Sequence, residues 1–177
     1  MDFFEVVEQR RSIRKYEGRP IEEEKVEKLV DAILRAPSSR GSRPWEFVLV
    51  TDSDTIHKLA YARSDQPSFL KDAALAVVVC GDERASDIWM ENTSIASTYV
   101  LLAAQALGLG ACWIQMRERK QPSGRSSEAY VQEILGLPEH LRVQAIIAVG
   151  YPAEEKQPYR DEELDFHKVH REKYTRA

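Results

Sequence analysis

Ala74-Leu75-Ala76-Val77-Val78-Val79-Cys80 is an unbroken apolar run of strand length, with three valines in succession. A strand with one wet face alternates apolar and polar residues. A run without alternation predicts a buried central strand. Arg142 to Gly150, with Val143, Ala145, Ile146, Ile147 and Val149, predicts a second buried strand, and shorter ones are expected at Glu46–Thr51 and Ala111–Ile114. Helical spacing fills the intervals. The longest helix is expected over 87–107, and its second half, Tyr99 to Leu107, is apolar nearly all round, which calls for burial on several sides.

Gly108-Leu109-Gly110 ends that helix through residues that tolerate positive φ. Earlier in the chain, Phe3, Phe4 and Val7 share one face of a first helix over 2–9. Val26, Leu29, Val30, Ile33 and Leu34 mark a second helix, with Glu22, Glu23 and Glu24 in its first turn and Pro37 as its stop. Shorter helices are expected at 55–62 and 129–135. No repeat interrupts this order, and 177 residues suit one domain, 1–177. From about 153 to 177 the chain is polar, and Tyr159, Leu164, Phe166, Val169 and Tyr174 are too few for a core of their own. That extension is expected to pack on another surface, with a partner subunit as candidate.

Hydrophobic residues make up 43% and charged residues 31%, with a net charge of -4, which fits a soluble globular protein and disfavours a nucleic-acid binder. No window reaches 18 apolar residues and no basic-then-apolar leader opens the chain, so no membrane anchor or targeting signal is expected. Cys80 and Cys112 lie in apolar contexts without CxxC spacing. They suggest neither a disulfide framework nor a zinc site, and a reducing, cytoplasmic location is expected.

Against this acidic background the cluster Arg10-Arg11-Ser12-Ile13-Arg14 is a local concentration of positive charge. Guanidinium groups so close repel one another unless an anion or several acceptors lie between them. Their planar forks match phosphate, and a hydroxyl can donate to a further phosphate oxygen. Two readings fit: a phosphate clamp, or a solvated charge run offsetting a helix C-terminus. The polar loop Pro37-Ser38-Ser39-Arg40-Gly41-Ser42-Arg43-Pro44 likewise either offers amides and hydroxyls to a ligand or simply makes the turn. Arg117 to Arg125 is a basic surface loop, either a flap or solvated.

Neither GxxxxGK[ST] nor GxGxxG after a first strand is present, and there is no GxSxG or HExxH. His57, His140, His167 and His170 suggest no metal set, and neither cysteine sits by an obvious base. No catalytic side chain and no metal ligand are therefore named. The chemistry falls to a cofactor.

Four blocks resemble the FMN-dependent nitroreductase family in order and spacing. They are Glu5-x-x-x-x-Arg10-Arg11-Ser12-Ile13-Arg14-Lys15-Tyr16, Arg35-Ala36-Pro37-Ser38-Ser39 running to Pro44-Trp45-Glu46-Phe47, Ala106-Leu107-Gly108-Leu109-Gly110-Ala111-Cys112-Trp113-Ile114, and Ile147-Ala148-Val149-Gly150-Tyr151-Pro152. The likeness implies an α+β, nitroreductase-like fold: a central mixed or antiparallel sheet flanked by helices, in an intertwined homodimer with FMN at the interface and a tail that wraps the partner.

The same likeness gives Arg10, Arg11, Ser12 and Arg14 the FMN phosphate and ribityl chain. It makes Pro37, Ser38 and Ser39 contacts to the other subunit's flavin, and lines the isoalloxazine ring with Cys112, Trp113 and Ile114, largely through backbone. Gln66 stands where the family often has an amide that bonds the ring's polar edge, and Arg160 where it has a late phosphate-binding basic residue. The implied activity is ping-pong hydride transfer from NAD(P)H through FMN to a nitroaromatic, quinone or similar small acceptor.

Departures are Gly41-Ser42-Arg43-Pro44-Trp45 in place of Asn before Ser-Gln-Pro-Trp, and Tyr99 where Asn is frequent. They leave open a specialised family member that fragments flavin, dehalogenates or dehydrogenates, with Arg43 and the loop Arg117 to Arg125 recognising one substrate. A flavin-binding protein without turnover is the remaining alternative.

Overall fold

In a computed structural model, which describes residues 1–65 and 67–175, four strands form one antiparallel sheet. They are β1 (Trp45–Val50), β2 (Leu75–Asp82), β3 (Gly110–Gln115) and β4 (Leu141–Gly150), in the order β1-β2-β4-β3. The uninterrupted apolar runs become the two central strands, and Leu75 to Gly81 is buried throughout. The helices are α1 (Phe3–Gln9), α2 (Glu23–Leu34), α3 (Ser53–Ala60), α4 (Trp89–Ala106) and α5 (Ser127–Leu135).

Alternation along β2 sorts two cores. Ala76, Val78 and Cys80 pack with Ile56 and Leu59 of α3 and Val131 of α5, while Leu75, Val77 and Val79 pack with Leu29 and Ile33 of α2 and Val100 and Ala104 of α4. Helices thus cover both faces, which is why β2 carries no polar alternation. The β2–β4 register shifts between Val79 and Cys80: Val79 faces Ala145 and Cys80 faces Val143, leaving Gln144 as the extra residue of a bulge.

Local signals place the helix ends. Asp2 caps α1 in a reciprocal pair with Glu5, and Ser126 caps α5. Gly108 takes the positive φ expected after α4, at +72°. Gly110 has a different reason to be glycine: a Cβ there would stand 2.8 Å from Ile13 Cβ.

One burial expectation changes, that for α4, and α1 is buried on one face only. Of α1, only Val6 is buried, at 5% exposure, while Phe3 and Phe4 are exposed at 64% and 79%, because the helix rests on α4 by its other face. In α4, Val100 and Ala104 face the sheet, but Leu101, Leu102 and Ala103 are only half-buried. The basic loop is a tight return in which Lys120 bridges Ser126 and the Gln121 N–H donates to the Arg125 carbonyl at 2.8 Å. Among the described residues, no helix is long and apolar enough to cross a membrane.

Candidate functional site

The Arg10–Arg14 segment leaves α1 at Arg10, whose backbone has turned extended, and runs along the outer edge of β3. Ser12 bridges Ala111 in parallel, and the Ile13 N–H donates to the Ala111 carbonyl at 3.1 Å. Ile13 is buried at 7% exposure over Gly110. Tyr16 closes the segment, its hydroxyl donating to the Ile13 carbonyl at 2.7 Å. Burial pushes that phenol above its ordinary pKa, so it stays neutral as a donor.

Extended backbone sends alternate side chains to opposite sides, and this divides the arginines. Arg11 is taken by the chain itself. Its guanidinium donates to the Gln157 carbonyl and lies 4.2 Å from the Tyr159 ring centroid. With Gln105 and Lys156 it lines a cleft of about 460 Å³.

Ser12 and Arg14 face the other way, toward Cys112. Burial pushes the Cys112 thiol up, while the Arg14 guanidinium and the Ser12 hydroxyl pull it back. Arg14 stands 5.9 Å from the centroid of Phe69. Among the described residues, Arg10 and Arg14 have neither an ion pair nor a side-chain hydrogen bond, whereas Arg35, Arg63, Arg84, Arg117, Arg125, Arg142 and Arg160 each have a carboxylate.

The β3 edge adds donors. The Ala111 carbonyl points away from β4, so the antiparallel ladder turns the N–H groups of Trp113 and Gln115 outward as well. The Gln115 carbonyl, on the same side, accepts from Arg63 at 3.5 Å. Cys112 and Ile114 are buried, and the Trp113 indole donates to Gln115 Oε1 at 3.0 Å. Beside this edge lie the Arg14 guanidinium, without an ion pair or side-chain hydrogen bond among the described residues, the Ser12 hydroxyl and the Phe69 ring, and Arg10 enters the same segment. The set suits an anionic group joined to a flat, hydrogen-bonding ring system.

The tail reinforces the segment. Glu154 accepts from the Arg14 N–H, and Lys156 Nζ donates to the Ser12 carbonyl at 2.7 Å. Arg160, by contrast, is turned onto its own tail: it is exposed, its N–H donates to Glu163 at 2.9 Å and its guanidinium pairs with Glu163 at 3.4 Å.

Pro37, Ser38 and Ser39 are held on α4. The Ser39 N–H donates to buried Asn92 Oδ1 at 2.9 Å, and Ser38 Oγ accepts from the Arg43 N–H at 3.0 Å. No hydrogen bond among the described residues joins this loop to Arg10–Arg14 of its own chain. Gln66 lies outside the described residues.

Sequence reasoning missed Gln115, Phe69, Arg63 and Lys156. The first follows from the phase of the β3 ladder, which only the Ile13–Ala111 bond sets. The others come from elements distant in the chain. Among the described residues, no group of three or more His, Cys, Asp or Glu side chains is placed to hold a metal ion.

A sequence profile of the Nitroreductase family matches residues 7–78 and 62–151. The chain is 35% identical over 170 residues to a protein of Archaeoglobus fulgidus provisionally named NADH dehydrogenase/NAD(P)H nitroreductase, covering 93% of this chain and 94% of that one. Its fold superimposes with a TM-score of 0.93 on an FMN-dependent nitroreductase from Clostridium difficile R20291, at 42% identity over 96% of this chain and 98% of the other. An NADPH:FMN oxidoreductase of Vibrio harveyi, solved in complex with NAD+, gives 0.83 at 27% identity, covering 99% and 79%. On the profile match and these near-complete overlaps, the chain belongs to the nitroreductase family.

Proposed function

We propose that the protein is an FMN-dependent NAD(P)H oxidoreductase. The observation that carries this reading is the Arg10–Arg14 segment laid along the open donor edge of β3, with Arg10 and Arg14 lacking carboxylate partners among the described residues. Arg10, Ser12 and Arg14 hold the phosphate and ribityl chain. Arg11 contributes from the reverse side by fixing the tail, and Arg160 meets the phosphate only after leaving Glu163. Gln66, Cys112, Trp113 and Ile114, with the Gln115 N–H, border the ring.

FMN, when bound, supplies ping-pong hydride transfer from NAD(P)H to a nitroaromatic, quinone or similar small acceptor. The chain's own part is to bind, orient and polarise: N–H groups fixed on a strand edge cost no reorganisation when charge develops near them. No side chain is assigned as catalytic acid or base.

The working unit in this reading is a homodimer in which Pro37, Ser38 and Ser39 meet the partner's flavin. It is supported by the outward Phe3, Phe4 and Val7 and by an apolar cleft between Phe3, Val6, Tyr99, Leu102 and Ala106, surfaces that a monomer leaves wet. The exposed apolar groups of the tail, Tyr159 to Tyr174, suit the same partner. A cytosolic location is supported by the buried free thiols of Cys80 and Cys112.

The test is anaerobic: the purified protein should be yellow, bleach with NADPH or NADH, and recover colour with a nitroaromatic or quinone. A colourless protein whose melting temperature FMN does not raise contradicts the reading. Light scattering should give twice the chain mass of 20.3 kDa.

A further inference from the structure

The loop between α2 and β1 carries two arginines, Arg40 and Arg43, that pair with nothing among the described residues. Arg40 and Arg43 both hold positive φ, 53° and 43°, where an L side chain is strained. The loop is nevertheless firmly tied. The Gly41 N–H donates to the Ser38 carbonyl at 3.1 Å and the Ser42 N–H to the Ser39 carbonyl at 3.0 Å. Asn92 and Ser38 anchor Ser39 and Arg43, at 2.9 and 3.0 Å.

Both arginines are exposed, and neither has an ion pair or a side-chain hydrogen bond among the described residues. Most other arginines outside the Arg10–Arg14 segment are paired, several with an acid two to four residues away, such as Arg35 with Asp31 and Arg84 with Asp82. A chain of net charge -4 has acids to spare for such pairs. Two guanidinium groups three residues apart, unpaired among the described residues and carried on a rigid and strained loop, form a preorganised receptor for an anionic group.

We propose that Arg40 and Arg43 select the substrate by charge, binding a carboxylate or phosphate group carried by a molecule that visits the flavin. This rests on the reading that the 37–39 loop borders the partner's FMN. The anionic group belongs either to the acceptor or to the nicotinamide donor as its 2′-phosphate; the chemistry is the same, and experiment separates the sources. Because the arginines touch a part of the substrate remote from the reacting atoms, their contribution is expected in KM rather than kcat.

The experiment compares the FMN-loaded wild type with Arg40→Gln, Arg43→Gln and the double variant. One arm sets 4-nitrobenzoate against neutral 4-nitrobenzamide, the other NADPH against NADH. Equilibrium binding of benzoate and benzamide to the oxidised protein gives a readout without turnover.

Each single change is expected to weaken the preference for the charged member of one arm about three- to five-fold, as for an exposed charge pair. Neutral partners and FMN affinity should not change. Arg43→Lys should retain most of the preference, and 0.5 M salt should erase it in the wild type. Loss confined to the first arm assigns the anion to the acceptor, and loss confined to the second assigns it to the donor.

If the wild type binds FMN but both preferences are absent or survive the double substitution, the proposal is overturned. A fall in FMN affinity with substrate preferences intact also overturns it, because the anion is then the cofactor's own phosphate. Failure of the wild type to bind FMN or to bleach is a different result and refutes the oxidoreductase reading itself.

Discussion

Lys156 Nζ donates to the Ser12 carbonyl at 2.7 Å, so a side chain 144 residues downstream braces the backbone between Arg11 and Arg14. The neighbouring Glu154 accepts from the Arg14 N–H and pairs with Lys156 at 3.5 Å. Together they keep the segment extended along β3, which is what turns Ser12 and Arg14 to one side and Arg11 to the other. Lys156→Met should cost about 1 kcal/mol of stability and weaken FMN binding a few-fold, by thermal melting and fluorescence titration. An unchanged FMN affinity would show that the brace does not act on the site.

The Glu154 carboxyl is held below its ordinary value of 4.5, first by the Arg14 N–H and then by Lys156, although partial burial opposes them. A depressed acid stabilises the fold where it is ionised. Its contribution is present above 4.5 and disappears as pH falls through the lower folded value. Glu154→Gln should therefore lower the melting temperature at pH 7, and the gap from wild type should close as pH falls below 4.5 through the lower folded value. A gap independent of pH would contradict this.

Arg10→Ala and Arg14→Ala should each weaken FMN binding about ten- to a hundred-fold, since each removes charge-assisted bonds of about 1.5–3 kcal/mol. Arg160→Ala should have a smaller effect, because that guanidinium is engaged by Glu163 at 3.4 Å. Titration of apoprotein with FMN separates the cases, and equal affinity in both of the first two variants would refute the clamp.

Gly110→Ala places a Cβ 2.8 Å from Ile13 Cβ, and Gly150→Ala places one 2.9 Å from Tyr16 Cδ1. Each forces apart the bridging segment and the sheet, so a loss of about 1–3 kcal/mol is expected for each. Chemical denaturation measures it. Gly110→Ala should also weaken FMN binding, because it displaces the neighbours of Ile13.

Gln144, in the bulge, donates to Ser94 Oγ at 3.2 Å, but its buried Oε1 has no partner among the described residues. Removing both the modest bond and the unpaired acceptor nearly cancels. Gln144→Leu should be neutral within about 1 kcal/mol, or stabilising. A loss of several kcal/mol would mean that the acceptor has a partner in the working protein.

Periodicity and punctuation are local properties, and they carried the elements well. The apolar runs became β2 and β4, Pro37 marks the end of the second helix, and Gly108 takes the left-handed turn. The arginine cluster was also legible, because three guanidinium groups in five residues need acceptors wherever they lie. What could not be read was phase and partnership. Whether Phe3 and Phe4 turn inward depends on which face of α1 meets α4, and both faces carry apolar residues.

Four motif blocks spread along the sequence determined by themselves the family, and apolar runs and helical spacing determined the order of strands and helices. Only the tertiary structure decided that Arg11 belongs to the tail while Ser12 and Arg14 face Cys112, and that the open N–H groups are those of Trp113 and Gln115. It also hung the Ser38–Arg43 loop on Asn92. The physical reason is that pairing register is set by contacts between distant segments. A shift of one residue at the Ile13–Ala111 bond would exchange the two sides of the arginine segment without altering any local preference.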